Sequence, residues 1–294
     1  MKHKLSITLI MLGLFLVTQI LGIFIISKGE APEFINGEGQ KNIAGFFSIL
    51  ISFIIAISFF FFLIKYKWKF FIKIWFSLVI FLALTITIYA ILTIFFNEKT
   101  LILFYSLLIS LFLTFLRVLR PSIIIHNFTE VLIYSGVSLI FIPFLSPFFV
   151  IILLVLISFY DIWAVWHVGF MQKIAKFQID EVKIFNGFFV PYLNKDIMEK
   201  IKKVKKSKKL NAKLKVPIAL LGGGDVAFTL IPAGVFLKSF GLMAAIFVVL
   251  GGFFGLCYLM FFSEKKKFYP AMPFITLGIF ISLFFYFFIF KIFY

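Results

Sequence analysis

Leu220-Leu221-Gly222-Gly223-Gly224-Asp225 sets an aspartate behind three glycines inside an otherwise apolar run. In lipid a central aspartate costs roughly 2.5–3.5 kcal/mol on insertion scales, and each interior helical glycine about 1 kcal/mol against alanine. A sequence that accepts both side by side is using them. Around this stretch lies a chain of 294 residues, 63% hydrophobic, 21% aromatic and only 14% charged. No soluble core of this length hides so many apolar residues. The apolar runs are continuous rather than alternating and long enough to cross a ~30 Å hydrocarbon layer, which specifies an all-α polytopic membrane bundle and excludes a β-barrel.

Nine transmembrane helices are predicted. The first covers residues 5–26, too long for a signal peptide and without a cleavage site, so it is read as retained. The second covers 43–64 and the third 74–96. After Asn97-Glu98-Lys99 a fourth ends near 116–119, closed by Arg117, Arg120 and Pro121. A fifth, with His126 and Glu130 in its first turns, continues to Phe141. The sixth covers 148–170, after a turn marked by Pro143 and Pro147. The seventh opens at Val216-Pro217 and runs to Leu237, the eighth covers 240–262, and the ninth leads from Tyr269-Pro270 to Lys291. Residues 1–170 thus hold spans one to six, 171–215 a basic loop, and 216–294 spans seven to nine.

Charge sets the orientation. Of 29 lysines and arginines, 24 fall on the side of the N-terminus, and without the long loop the split is still 11 to 5. The N-terminus and the 171–215 loop are therefore expected in the cytoplasm and the C-terminus outside. The formal charge of +17 sits in loops between apolar runs, so its expected partner is the anionic inner leaflet and not nucleic acid. The lysine run at 200–209 is read as a solvated face that enforces this topology. The single cysteine, Cys257, excludes disulfides within one chain.

Asp161 and Asp225 are the two acidic residues placed deep in spans. At ~1.5 Å of rise per residue each lies about 14–17 Å from the cytoplasmic end of its helix, so two antiparallel spans bring them to one level. Two carboxylates at one depth do not comfortably share two negative charges, and one keeps a proton while the other ionises. That is the requirement of aspartic-protease chemistry, in which one carboxylate takes a proton from water and the other donates to a peptide carbonyl, with no metal or other cofactor. Gly222 and Gly224 leave room for another backbone beside Asp225. A peptide bond in a helix is shielded, so a substrate has to be unwound and held extended, as by strand addition. Pro270-Ala271-Met272-Pro273 is a candidate for holding it, because proline frees nearby carbonyls and Ala271 permits close contact.

Tyr160-Asp161, Gly222-Gly223-Gly224-Asp225 and Pro270-Ala271-Met272, in that order over nine spans, resemble the three motifs of the presenilin and signal peptide peptidase family of intramembrane aspartyl proteases. In size and layout the chain is most similar to the archaeal presenilin homologues. The resemblance implies Asp161 and Asp225 as the catalytic pair, Tyr160 as an ordering group, and Gly222, Gly223, Gly224, Pro270, Ala271 and Met272 as residues that shape the site and bind substrate. Met272 stands where the family usually has leucine, a swap of similar volume. The cytoplasmic loop between the catalytic spans implies the presenilin orientation, and with it single-span substrates whose N-terminus is outside. The protein is expected in the plasma membrane of a prokaryote, alone or as a homo-oligomer.

Two other readings use the same aspartates: a secondary transporter with ion-binding carboxylates on broken helices, and a prepilin or preflagellin peptidase. No His-Glu-x-x-His supports a zinc protease. His126 and Glu130, four apart, are read as a local polar contact. Ile184 to Pro191 is too apolar for a solvated linker and is open to four readings: plug, interfacial segment, self-cleavage site, or a strand that pairs with substrate.

Overall fold

The computed structural model describes residues 5–33, 35, 43–66, 68–119, 122–168, 186–192, 218–263 and 269–292. Among the described residues there are nine long helices and two short strands. The helices are α1 (Leu5–Lys28), α2 (Ile43–Lys65), α3 (Lys69–Leu92), α4 (Lys99–Leu119), α5 (Ile123–Phe141), α6 (Pro147–Trp163), α7 (Gly223–Phe240), α8 (Leu242–Phe262) and α9 (Met272–Ile292). Seven are long and apolar enough to cross a membrane. The other two of the nine expected spans are α2, a 23-residue apolar helix, and α7, whose Gly223, Gly224, Asp225, Pro232 and Lys238 lower its apolarity. The lysine run at 200–209, Arg120, Pro121, the charges at 265–267 and the expected opening at Val216-Pro217 lie outside the described residues.

The packing is that of helices in lipid. α4 turns Phe104, Tyr105, Leu108 and Phe112 outward and buries Ser106, Ser110 and Thr114. Its Ser110 hydroxyl meets that of Thr85 on α3 at 2.6 Å. Small and hydroxylic side chains inside, large apolar ones outside, is the arrangement expected where association depends on close contact and hydrogen bonds rather than on escape from water. α8 and α9 take this furthest. A Cβ added to Gly278 would run into the Gly251 carbonyl, and one added to Gly255 into the Phe274 carbonyl, so these helices touch backbone to backbone. α1, α5, α7 and α8 form the centre, with Phe15, Leu230, Phe236 and Val248 almost fully buried. Gly241, at φ +87°, makes the turn from α7 to α8 that a side chain would strain.

The largest departure from the expected spans is at the glycines. Residues 218–222 are not helical. They form β2 (Ile218–Gly222), antiparallel to β1 (Gly187–Pro191), with Gly187 opposite Gly222 and Pro191 opposite Ile218. Phe188, Val190, Ala219 and Leu221 face the core. An apolar run of this length reads equally as strand or helix, and here the partner strand decides. The same pairing makes part of the apolar piece at 184–191 a strand.

Candidate active site

Because β2 takes residues 218–222, α7 starts at Gly223 with Gly222 as its N-cap, and Asp225 stands in the first turn instead of mid-helix. The glycine penalty is therefore smaller than expected, and an acidic first-turn residue is favoured by the helix dipole. Each glycine has a separate surrounding. A Cβ on Gly222 would lie 2.9 Å from Asp225 Oδ2, so the carboxyl folds back over its own N-cap. A Cβ on Gly223 would lie 2.6 Å from the Tyr134 hydroxyl. On Gly224, by contrast, it would meet only the Phe228 ring at 3.8 Å, so none of this chain's backbone needs that glycine. Gln19 on α1 holds the turn by donating from Nε2 to the Val226 carbonyl at 3.0 Å.

Asp161 is 8% exposed and sits near the end of α6, which continues as a π-turn over Ala164–Val168. Its Oδ2 accepts the Met272 N–H at 3.0 Å, and the Ala271 amide faces the same carboxylate. One turn earlier, Ser158 donates to Thr276 Oγ1 on α9 at 2.8 Å. Asp161 and Asp225 lie within Coulombic range of each other. The structure thus brings the two aspartates and the Pro270-Ala271-Met272 segment together, through a strand-to-helix junction rather than two continuous helices. Tyr160 is 41% exposed, and among the described residues its hydroxyl makes no hydrogen bond, so no contact supports an ordering role.

A cavity of about 140 Å³ opens beside Asp225, bordered by Leu220, Gly222, Met260, Ser263, Tyr269 and Ala271. A larger groove of about 830 Å³ between α8 and α9 has apolar walls and no carboxylate. Among the described residues no cluster of three or more His, Cys, Asp or Glu could hold a metal ion.

Residues 12–292 match the model of the family described as signal-peptide peptidase, presenilin aspartyl protease. The chain belongs to this family. Two solved structures of a presenilin family intramembrane aspartate protease, in C222 and P2 space groups, share its fold. They are 19% and 20% identical, cover 94% and 95% of both chains, and superpose with TM-scores of 0.62 and 0.63. No curated protein matches the chain.

In this presenilin-family chain, sequence reading left several polar residues unplaced. Arg117, read as a cytoplasmic charge at the end of span four, is 6% exposed and belongs to α4. It donates to Thr129 Oγ1 at 2.8 Å and forms a buried ion pair with Glu130, since a charge inside a bundle needs a partner. His126, expected to contact Glu130, stands 3.8 Å from its Oε1 but spends its hydrogen bond on the Gly187 carbonyl at 2.7 Å. The signal was available: His126, Glu130 and Tyr134 recur every four residues and form one polar face of α5. Asn127, between them, gave no such signal.

Proposed function

We propose that this protein is an intramembrane aspartyl protease that hydrolyses peptide bonds within transmembrane segments of membrane proteins, with Asp161 and Asp225 as a general acid/base pair. The observation that supports the reading is Asp225 lining a cavity edged by strand β2, with Asp161 within Coulombic range of it, in a chain of an aspartyl protease family. One carboxylate takes a proton from water as the water oxygen attacks the peptide carbonyl carbon, while the other, protonated, donates to the carbonyl oxygen. The tetrahedral adduct then collapses, the C–N bond breaks, and a proton passes to the leaving amine. Gly222 and Gly223 shape the carboxyl's surroundings, Gly224 leaves open space for substrate, Ala271 and Met272 hold Asp161 through their amides, Ala271 also borders the cavity, and Pro270 opens the segment that presents them. The substrate segment is held extended along β2 by strand addition.

In this reading α2 and α7 complete nine crossings, with the N-terminus and residues 171–215 in the cytoplasm and the C-terminus outside. Single-span proteins with an external N-terminus are the substrates. The test is cleavage of a purified single-span reporter in liposomes by wild type, Asp161→Ala and Asp225→Ala, with products mapped by mass. Cuts inside the span that vanish in both variants support the proposal. Full activity in either variant, or no cleavage of reporters in both orientations, overturns it and turns attention to ion binding and flux.

A further inference from the structure

The side chains of α5 stand where a third strand would stand. Asn127 Nδ2 donates to the Phe189 carbonyl at 2.8 Å, and Asn127 Oδ1 accepts the Phe189 N–H at 3.0 Å. A carboxamide that gives and takes one bond with the same residue reproduces the pair exchanged between antiparallel strands. Beside it, His126 Nε2 donates to the Gly187 carbonyl at 2.7 Å and its ring packs on Phe189. The platform under these two residues is itself fixed, through the Arg117 bonds to Thr129 and Glu130 one turn on.

These contacts determine which edge of the sheet stays open. Gly187 and Phe189 turn their main-chain groups toward α5, so by alternation Phe188 and Val190 turn theirs toward β2, opposite Leu221 and Ala219. Leu220, opposite Phe189, then faces its N–H and C=O away from β1, on the edge that borders the cavity with Asp225. Among the described residues no strand lies beyond β2. A two-stranded sheet alone is marginal, and this one joins strands separated by residues 192–217, so it needs an outside hold.

We propose that His126 and Asn127 are positioning residues: they clamp β1 to α5, so the sheet is formed before substrate arrives and offers it the β2 edge alone, in one register. The proposal rests on the protease reading above for its substrate half, while the clamp itself can be measured without any substrate.

The experiment uses the full-length protein with Asn127→Leu, which removes both bonds, and Asn127→Asp, which keeps the shape and loses the donor; the aspartate variant decides if leucine prevents folding. Amide exchange is read by mass over residues 186–192, and reporter cleavage is read as KM, kcat and product masses. The expected result is exchange about tenfold faster in that segment, with α8 and α9 unchanged, and a smaller rise for Asp. KM rises about tenfold, kcat stays within about twofold, and products spread to neighbouring bonds because an unclamped strand slips. Unchanged exchange overturns the clamp, and a fall in kcat at constant KM and product mass overturns its role in substrate positioning. If wild type cuts no reporter, the protease reading has failed, and the exchange arm still decides the clamp.

Discussion

Met272 donates its backbone N–H to Asp161 Oδ2 at 3.0 Å, across 111 positions of sequence. The donor is one of the first amides of α9, which no carbonyl within the helix can use, and a carboxylate suits the positive end of a helix. The proline before it lacks an N–H, so Ala271 and Met272 are the first donors that can face Asp161.

This hydrogen bond belongs to the backbone, so side-chain changes at Met272 separate its parts. Met272→Leu is expected to keep reporter cleavage within about twofold, as a volume-conserving swap. Met272→Pro fits a first helical position but removes the N–H, and is expected to lower kcat/KM by roughly 10–100-fold, on the order of the 1.5–3 kcal/mol of a hydrogen bond to a charged group. Met272→Ala, which keeps the N–H, controls for the lost side chain. Equal loss in the Ala and Pro variants would count against the backbone bond.

Gly223 and Tyr134 divide one small space. Gly223→Ala is expected to cost roughly 1–3 kcal/mol by overpacking against the hydroxyl, seen as a lower melting temperature in detergent. Adding Tyr134→Phe should recover much of that loss, and Gly224→Ala, with only Phe228 nearby, should melt close to wild type. A double variant no better than Gly223→Ala alone would point to the Asn186 carbonyl, 3.2 Å from the same position, as the obstacle.

Glu130 neutralises a buried arginine. Glu130→Ala leaves Arg117 charged among apolar helices and is expected to destabilise by about 3–5 kcal/mol, whereas replacing both residues by methionine should recover most of it. Thermal unfolding of the single and double variants checks this; a double variant as unstable as the single would show that the site needs the charges themselves.

Gly278 lets α9 reach α8. Gly278→Leu is expected to push the helices apart, lower thermal stability and, by moving α9, weaken the hold of Met272 on Asp161, so cleavage falls as well. In α1, Gly13 has nothing within 4 Å of an added Cβ, and Gly13→Ala should be neutral or stabilising by up to about 1 kcal/mol. A melting curve for each variant separates the two kinds of glycine.

What the sequence determined by itself follows from properties that are local and additive. Length and continuity of apolar runs required a helical membrane bundle, and the three short motifs were enough to single out Asp161, Asp225 and Pro270-Ala271-Met272. The tertiary structure decided how they meet. Residues 218–222 are apolar enough for a helix, and only β1, far off in sequence, made them a strand and moved Asp225 to a helix N-terminus. Arg117 reads as a surface charge until Glu130 is folded against it, and Asn127 carries no pattern at all until its partner, 62 positions away, arrives as backbone. Hydrogen bonds to main chain leave no mark on the identity of the residue that receives them, since every residue but proline offers the same N–H and all offer the same C=O. That is why the carboxylates were legible in the sequence and their supports were not.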